Sequence, residues 1–257
     1  MEKNFFEWVM FFFQSNWQQF LLGTATTLLV SLSGTIIGFF LGLGVSLIQY
    51  TKTDDKSSTL FKGFIKFLKI LISIYITIFR GTPMIVQAMV IFYGLPQLIG
   101  LNLDPLPAAL LIVSINTGAY MAEMIRGGVD SVDPGQLEGA QAIGMSHFQA
   151  MISIIFPQAV RNVLPSIGNE FIINIKDTSV LNVIGVTELF FTSKSIAGSY
   201  AKYYEVFIIT SVIYLFLTFT ISLILKSIEK KIDGPKNFEI LPLQDGNNVV
   251  IKKEKGE

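Results

Sequence analysis

The stretch WVMFFFQSNWQQFLLGTATTLLVSLSGTIIGFFLGLGVSLIQYT, residues 8–51, contains no Asp, Glu, Lys or Arg. About 20 consecutive apolar residues cross the hydrocarbon core of a bilayer as a helix. A helix buried in a soluble core rarely runs so long without charge. Two more charge-free runs follow, at residues 81–103 and 206–225. Three such runs in 257 residues point to a membrane rather than to a soluble domain. The first run starts late and has an acidic flank (Glu2, Glu7), so it is not read as a cleaved signal peptide.

Composition agrees. Hydrophobic residues make up 51% of the chain and charged residues 15%, where soluble domains carry about 25% charged. Nineteen basic residues balance nineteen acidic ones, which argues against a nucleic-acid partner, since such a protein needs a basic excess. With no Cys and only His147, disulfide scaffolds, thiol catalysis and Cys- or His-rich metal sites are excluded.

Working outward, residues 1–19 are aromatic and polar and are expected to sit at the membrane–water boundary. Residues 21–50 form the first span. Gly34, Gly38 and Gly42 recur every fourth position, on one helix face, where small residues let another helix approach. Residues 51–69 are Lys-rich. There Lys62, Lys66 and Lys69 oppose Phe61, Phe64, Ile65 and Leu68, which predicts an amphipathic helix on the membrane surface. Its Lys excess places it in the cytoplasm. Residues 70–103, apolar except for Arg80, read as one long second span emerging near Gly94-Leu95-Pro96. Two shorter pieces broken at residues 81–83 are the alternative. The third span runs from Pro105 or Leu106 to about Met124, interrupted by Asn116 and Thr117 and ending at Glu123 and Arg126.

Residues 158–190 are mostly apolar but carry Arg161, Glu170, Lys176, Asp177 and Glu188. Residues 206–225 are the last span, followed by Lys226, Lys230 and Lys231. The Lys-rich loop and the basic end of the last span both belong inside, whereas the N-terminus has no such claim. An odd number of spans follows, five if residues 158–190 hold the fourth. The tail, residues 231–257, is mixed in charge and is expected to be cytoplasmic and disordered.

Residues 133–157 carry the sharpest local signals. Asp133 suits an N-cap, Pro134 the first helical position, and Gln136 stands three residues after the cap. Gly144 can end that helix in the left-handed conformation. Ser146 then caps a second helix, with Gln149 three residues on and Pro157 about three turns later. The spacing predicts a helix-turn-helix between two spans, on the cytoplasmic side.

Glu138-Gly139-Ala140, Gly144, Ile154 and Pro157 resemble the EAA loop of ATP-binding-cassette (ABC) importers. Gly139 and Phe156 are mild departures from its usual Glu-Ala-Ala and Ile-x-Leu-Pro. The rest of the chain resembles the polar amino-acid branch, the histidine/glutamate/glutamine/arginine/opine permeases. The segments that carry this are Arg80-Gly81-Thr82-Pro83 with Val86-Gln87, Phe92-Tyr93-Gly94-Leu95-Pro96, and Ala119-Tyr120 with Ala122-Glu123. They continue with Arg126-Gly127-Gly128, Pro157-Gln158-Ala159, Leu164-Pro165, Gly168-Asn169-Glu170-Phe171 and Lys176-Asp177-Thr178-Ser179. The likeness covers about residues 20–230.

The resemblance implies an all-α, MetI-like type I importer fold with about five transmembrane helices, an outside N-terminus, and a coupling loop at about residues 130–157. It implies a second permease subunit, same or homologous, a cytoplasmic ATPase dimer, an extracytoplasmic amino-acid-binding protein and a lipid surround. It implies no cofactor, metal or catalytic residue on this chain, with ATP-Mg on the ATPase. The chain itself has no G-x-x-x-x-G-K-[ST] phosphate loop.

In this reading Glu138, Gly139, Ala140 and Gly144 contact the ATPase, with Glu138 as a cap or ion-pair partner; a solvated carboxylate is the plainer alternative. Asn169 and Glu170, with Arg80, are candidates for the substrate path, because ionisable groups at bilayer depth mark a pathway or a pair. The alternative is a structural pair between Glu170 and Arg80 or Arg161. Pro83, Lys176 and Asp177 are expected at helix breaks, with Asp177 capping a restart and Arg80 satisfying the break beside Pro83. His147 reads as an exposed loop residue. The competing functions are a permease for another small solute and an ion-coupled secondary transporter using Glu170 and Lys176.

Overall fold

The computed structural model describes residues 4–51, 58–233, 238–240 and 251–253. Lys52, Asp54, Asp55 and Lys56 of the Lys-rich loop, and most of the tail, lie outside the described residues.

Helix α1 (Phe5–Tyr50) begins at a capping box between Asn4 and Glu7 and runs unbroken through the charge-free stretch. Residues 5–19, expected as a separate interfacial segment, are continuous with the span, because no Pro or Gly interrupts the chain before Gly23. Helix α2 (Thr59–Gly81) starts at Ser58, whose hydroxyl accepts from the Phe61 amide. The Lys-bearing amphipathic turns are the first part of α2 rather than a helix of their own. Helix α3 (Met84–Ile99) follows directly, N-capped by Pro83. The second span is therefore two helices broken at residues 81–83, and not one. Pro83 has no amide hydrogen and disfavours helical geometry at Thr82, so the helix stops there.

Helix α4 (Pro105–Asp130) opens on a Pro at its first position. The loop helices α5 (Pro134–Ala142) and α6 (His147–Ala150) come next. A π-helical turn (Met151–Ile155) joins α6 to α7 (Phe156–Asp177), which tightens into a 3₁₀ turn (Thr178–Ile184). Helices α8 (Leu189–Tyr200) and α9 (Tyr203–Asp233) complete the bundle. Two short strands, β1 (Phe238–Ile240) and β2 (Ile251–Lys253), pair antiparallel in the tail that was expected to lack structure.

By length and composition, four helical stretches among the described residues can cross a membrane: Phe5–Tyr50, Pro105–Asp130, His147–Ile184 and Tyr203–Ile232. Charges at both ends of α2 and the shortness of α3 keep that pair from standing out alone, yet together they run from one end of the bundle to the other. At one end Lys69 donates to the Thr51 carbonyl (2.9 Å). At the other, α3 packs with Ala108, Ile112 and Leu181.

Helices α1 and α4 run parallel and in register. A Cβ on Gly34 would strike Val113, and one on Gly38 would lie 2.7 Å from Thr117 Cβ. One on Gly42 would lie 2.5 Å from Met121 Cβ. The glycine face thus seats α1 directly on α4. Ser46 continues the seam by donating to the Ala122 carbonyl (3.1 Å). Helix α7 runs the opposite way, with Ala159 beside Gly128 and Asn174 beside Thr117. Five passes result: α1, α2 with α3, α4, α7 and α9. The two ends of the bundle's chain lie on opposite faces.

Candidate functional site

The loop between α4 and α7 forms as Asp133, Gly144 and Ser146 dictate, whereas Gln136 closes no capping box with Asp133 and its side chain meets Gln158 instead. Asp133 accepts from the Gly135 amide (2.7 Å), and Pro134 occupies the first turn of α5. Gly144 ends that helix at φ +88, a region open to glycine at no steric cost. Ser146 and Gln149 form a reciprocal capping box that starts α6. The second loop helix does not end at Pro157. It passes through the π turn into α7, because Pro157 cannot donate to the helical ladder and the wider turn accommodates it.

Glu138, Gly139 and Gly144 are exposed, while Ala140 is buried against the body of the loop. Glu138 makes neither cap nor ion pair among the described residues. Ile143 and Phe148, at the turn, are 77% and 60% exposed. The loop therefore presents an apolar turn beside a free carboxylate, at the end of the bundle that also holds Tyr50 and Lys69.

A chain of polar contacts leads from this loop into the bundle. His147 Nε2 lies 3.0 Å from the Tyr50 carbonyl oxygen, and the Tyr50 hydroxyl donates to Asp130 Oδ1 (2.7 Å). Arg126 bridges Asp130 (2.8 Å) and Glu123 (3.0 Å). Arg80 approaches Glu123 at 3.8 Å and stacks over Tyr120. His147 is thus half-buried and engaged, not the exposed residue its place after Gly144 suggested. Nothing local signals this, since its partner is ninety-seven positions away.

At the α2–α3 break, Gln87 does what Arg80 was expected to do. Its Nε2 donates to the carbonyls of Phe79 and Thr82, both at 2.9 Å. Asn116 holds it by donating to Gln87 Oε1 (2.9 Å). One amide a turn beyond the break reaches both orphaned carbonyls, whereas Arg80 turns to Glu123.

The fourth-span candidates separate. Asn169 is exposed, whereas Glu170 is 4% exposed. Glu170 pairs with neither arginine: Arg80 meets Glu123, and Arg161 is exposed without an ion pair among the described residues. It lies one turn before Asn174, on the same helix face. Asn174 Nδ2 donates to Thr35 Oγ1 (2.8 Å) and Thr117 Oγ1 (3.0 Å), tying α7 to α1 and α4. Lys176 and Asp177 are exposed at the change from α to 3₁₀ geometry. Asp177 forms no cap bond; the Thr178 hydroxyl instead bonds the Ile175 carbonyl (3.0 Å). Among the described residues no cluster of His, Asp or Glu could hold a metal ion.

Residues 60–234 match the family model described as "Binding-protein-dependent transport system inner membrane component". The chain belongs to this family. The permease is 35% identical to the arginine transport system permease protein ArtQ of Bacillus subtilis over 82% of this chain and 90% of that protein. It is 37% identical to the glutamine transport system permease protein GlnP of Escherichia coli over 81% of this chain and 90% of that protein. A crystal structure of an amino acid ABC transporter with histidines aligns with TM-score 0.76 and 35% identity, covering 90% of this chain and 100% of that one. An inward-facing MetNI methionine ABC transporter structure shares the fold at TM-score 0.67, with 17% identity, over 84% of this chain and 96% of that one. The permease is accordingly a multi-pass inner-membrane protein of the MetI-like importer fold, and ABC permeases of this kind work with an ATPase.

Proposed function

We propose that this permease carries polar amino acids across the cytoplasmic membrane, with ATP-Mg bound and hydrolysed on a partner ATPase dimer. The observation that carries the reading is the loop of α5 and α6. It is an independently capped helix-turn-helix, exposed at one end of the bundle, whose turn offers Ile143 and Phe148 beside Glu138. Such a shape is suited to seat in a groove of another protein. The amino-acid class is supported by what ArtQ, GlnP and the structural relative transport.

In this reading residues 20–230 are the transmembrane domain, the N-terminus lies outside, and residues 231–257 are cytoplasmic. An extracytoplasmic binding protein delivers substrate, and a second permease subunit completes the path. When the ATPases close, they carry Glu138, Gly139, Ala140 and Gly144 of each permease together, and the helix bundles rock between inward- and outward-open states. Asn169 and Arg80, both exposed on the bundle, line the polar path in this reading. Glu170 is buried one turn before Asn174 on α7. Pro83, Lys176 and Asp177 mark the breaks about which helices reorient.

The test is uptake of labelled amino acids into vesicles that hold this chain with its ATPase and binding protein and enclose ATP. Accumulation of one or a few polar amino acids, lost without ATP, is expected. Uptake driven by an ion gradient without the ATPase overturns the reading. A complex that hydrolyses ATP but moves no amino acid removes the substrate class alone. Glu170→Gln is expected to lower uptake; unchanged transport and assembly would remove Glu170 from the site.

A further inference from the structure

The last residue of α1 is used three ways. Its hydroxyl donates to Asp130 Oδ1 (2.7 Å) and lies 3.2 Å from the Arg126 carbonyl, at the end of α4. Its ring meets Phe156 edge-on, with centroids 6.3 Å apart, at the start of α7. Its carbonyl, one of those a helix end leaves without an internal partner, lies 3.0 Å from His147 Nε2. A carbonyl can only accept, so Nε2 carries the proton. Nδ1 is buried and without a hydrogen-bond partner among the described residues.

Apolar packing of Leu137 and Met151 with Val129 and Tyr50 joins the loop to the bundle here, and space remains beside it. A cavity of about 130 Å³ lies on one side, bounded by Leu47, Thr51, Ser146 and Phe148. Another of about 270 Å³ lies on the other, bounded by Val129, Leu137 and Met151. Tyr50 and His147 line both. Among the described residues, the other polar link from α5 or α6 to the bundle is a 3.4 Å contact between Gln136 and Gln158.

We propose that Tyr50 and His147 are positioning residues that clamp the α5–α6 loop to the ends of α1 and α4, so that displacement of the loop moves both spans together. The inference rests on the coupling-loop reading above. It goes beyond that reading by naming the residues that make the loop and the bundle one body. Because α1 is seated on α4 through Gly38 and Gly42, a pull on Tyr50 is shared by both helices. Without the clamp, the cavities give the loop room to move alone.

The test uses the full complex in vesicles and compares Tyr50→Phe, His147→Leu and His147→Gln with the wild type. Gln retains a donor at the position of Nε2, and Leu does not. Amino acid accumulated per ATP hydrolysed is expected to fall about fivefold in Tyr50→Phe and His147→Leu while hydrolysis persists. His147→Gln restores it. Amide exchange over residues 137–148, read by mass spectrometry, quickens about fivefold in His147→Leu, as for loss of one hydrogen bond, and not in Tyr50→Phe, which keeps the carbonyl that His147 meets and loses only the tie from α1 to Asp130. Exchange over residues 109–121 stays unchanged. Uptake per ATP at the wild-type level overturns the proposal, and so does unaltered exchange or a Gln variant no better than Leu. If Tyr50→Phe fails to assemble, the His147 pair decides. A wild-type complex that accumulates nothing overturns the importer reading instead, while faster loop exchange in His147→Leu still supports the clamp.

Discussion

Gln87 shows how one side chain makes a helix break tolerable in a membrane. The break at residues 81–83 frees the carbonyls of Phe79 and Thr82, which need partners within the protein wherever lipid replaces water. Gln87 meets both, and Asn116 fixes its orientation. Replacing Gln87 by Leu is expected to remove both bonds, leaving the Phe79 carbonyl only its 3.4 Å contact from Asn116, at a cost of about 1–3 kcal/mol in all. Denaturant unfolding of the purified permease would report it as an earlier midpoint. The Val86-Gln87 pair was legible as part of a family pattern, but its task was not. That task depends on Asn116, which reaches Gln87 only after α3 folds beside α4. The same holds for Asn174, whose partners Thr35 and Thr117 come from two other helices.

Among the elements, the α1–α4 pair and the coupling loop show opposite degrees of legibility. The spacing of Gly34, Gly38 and Gly42 announced a close helix contact without naming its partner. A Leu at Gly42 would drive α1 from Met121 and Ala122, and overpacking of this kind costs about 1–3 kcal/mol. Gly44 lies on the same helix, and a Cβ added there would meet nothing within 4 Å, so Gly44→Ala should be neutral or stabilising by up to about 1 kcal/mol. Unfolding both variants in a graded detergent mixture separates the two outcomes. In the loop, Asp133, Gly144, Ser146 and Gln149 act within a few residues of themselves, and the structure follows their signals. Gly144→Val places a β-branched residue at φ +88, costing about 1–2 kcal/mol of local conformational energy. Co-purification of the ATPase with the permease is expected to drop, with little change in the stability of the bundle.

For the whole molecule, charge and hydropathy imply an odd number of passes, and the packing directions of α1, α4 and α7 agree. Sidedness is directly measurable because the chain has no native Cys. A single Cys at Phe6 should react with an impermeant maleimide added outside intact cells, and one at Phe148 only after the membrane is opened. Reaction of the Phe148 site from outside would invert the proposed topology. The second pass was the element least well read. Apolar runs report burial in lipid whether or not a helix is continuous, and only the rigid ring of Pro83 hinted at the break.

By itself the sequence determined the membrane character, the parity of the passes, the capped loop and its left-handed turn. Each of these follows from solvation or backbone sterics over a few consecutive residues or one helix length. The tertiary structure decided which side chains serve those features: Gln87 at the break, Tyr50 and His147 at the loop, and Glu170 buried without an ion pair among the described residues. These depend on pairs such as Tyr50 with Asp130 and Thr35 with Asn174, which are distant in sequence. A buried polar group's partner is chosen by which helices pack together, and that choice belongs to the assembled bundle.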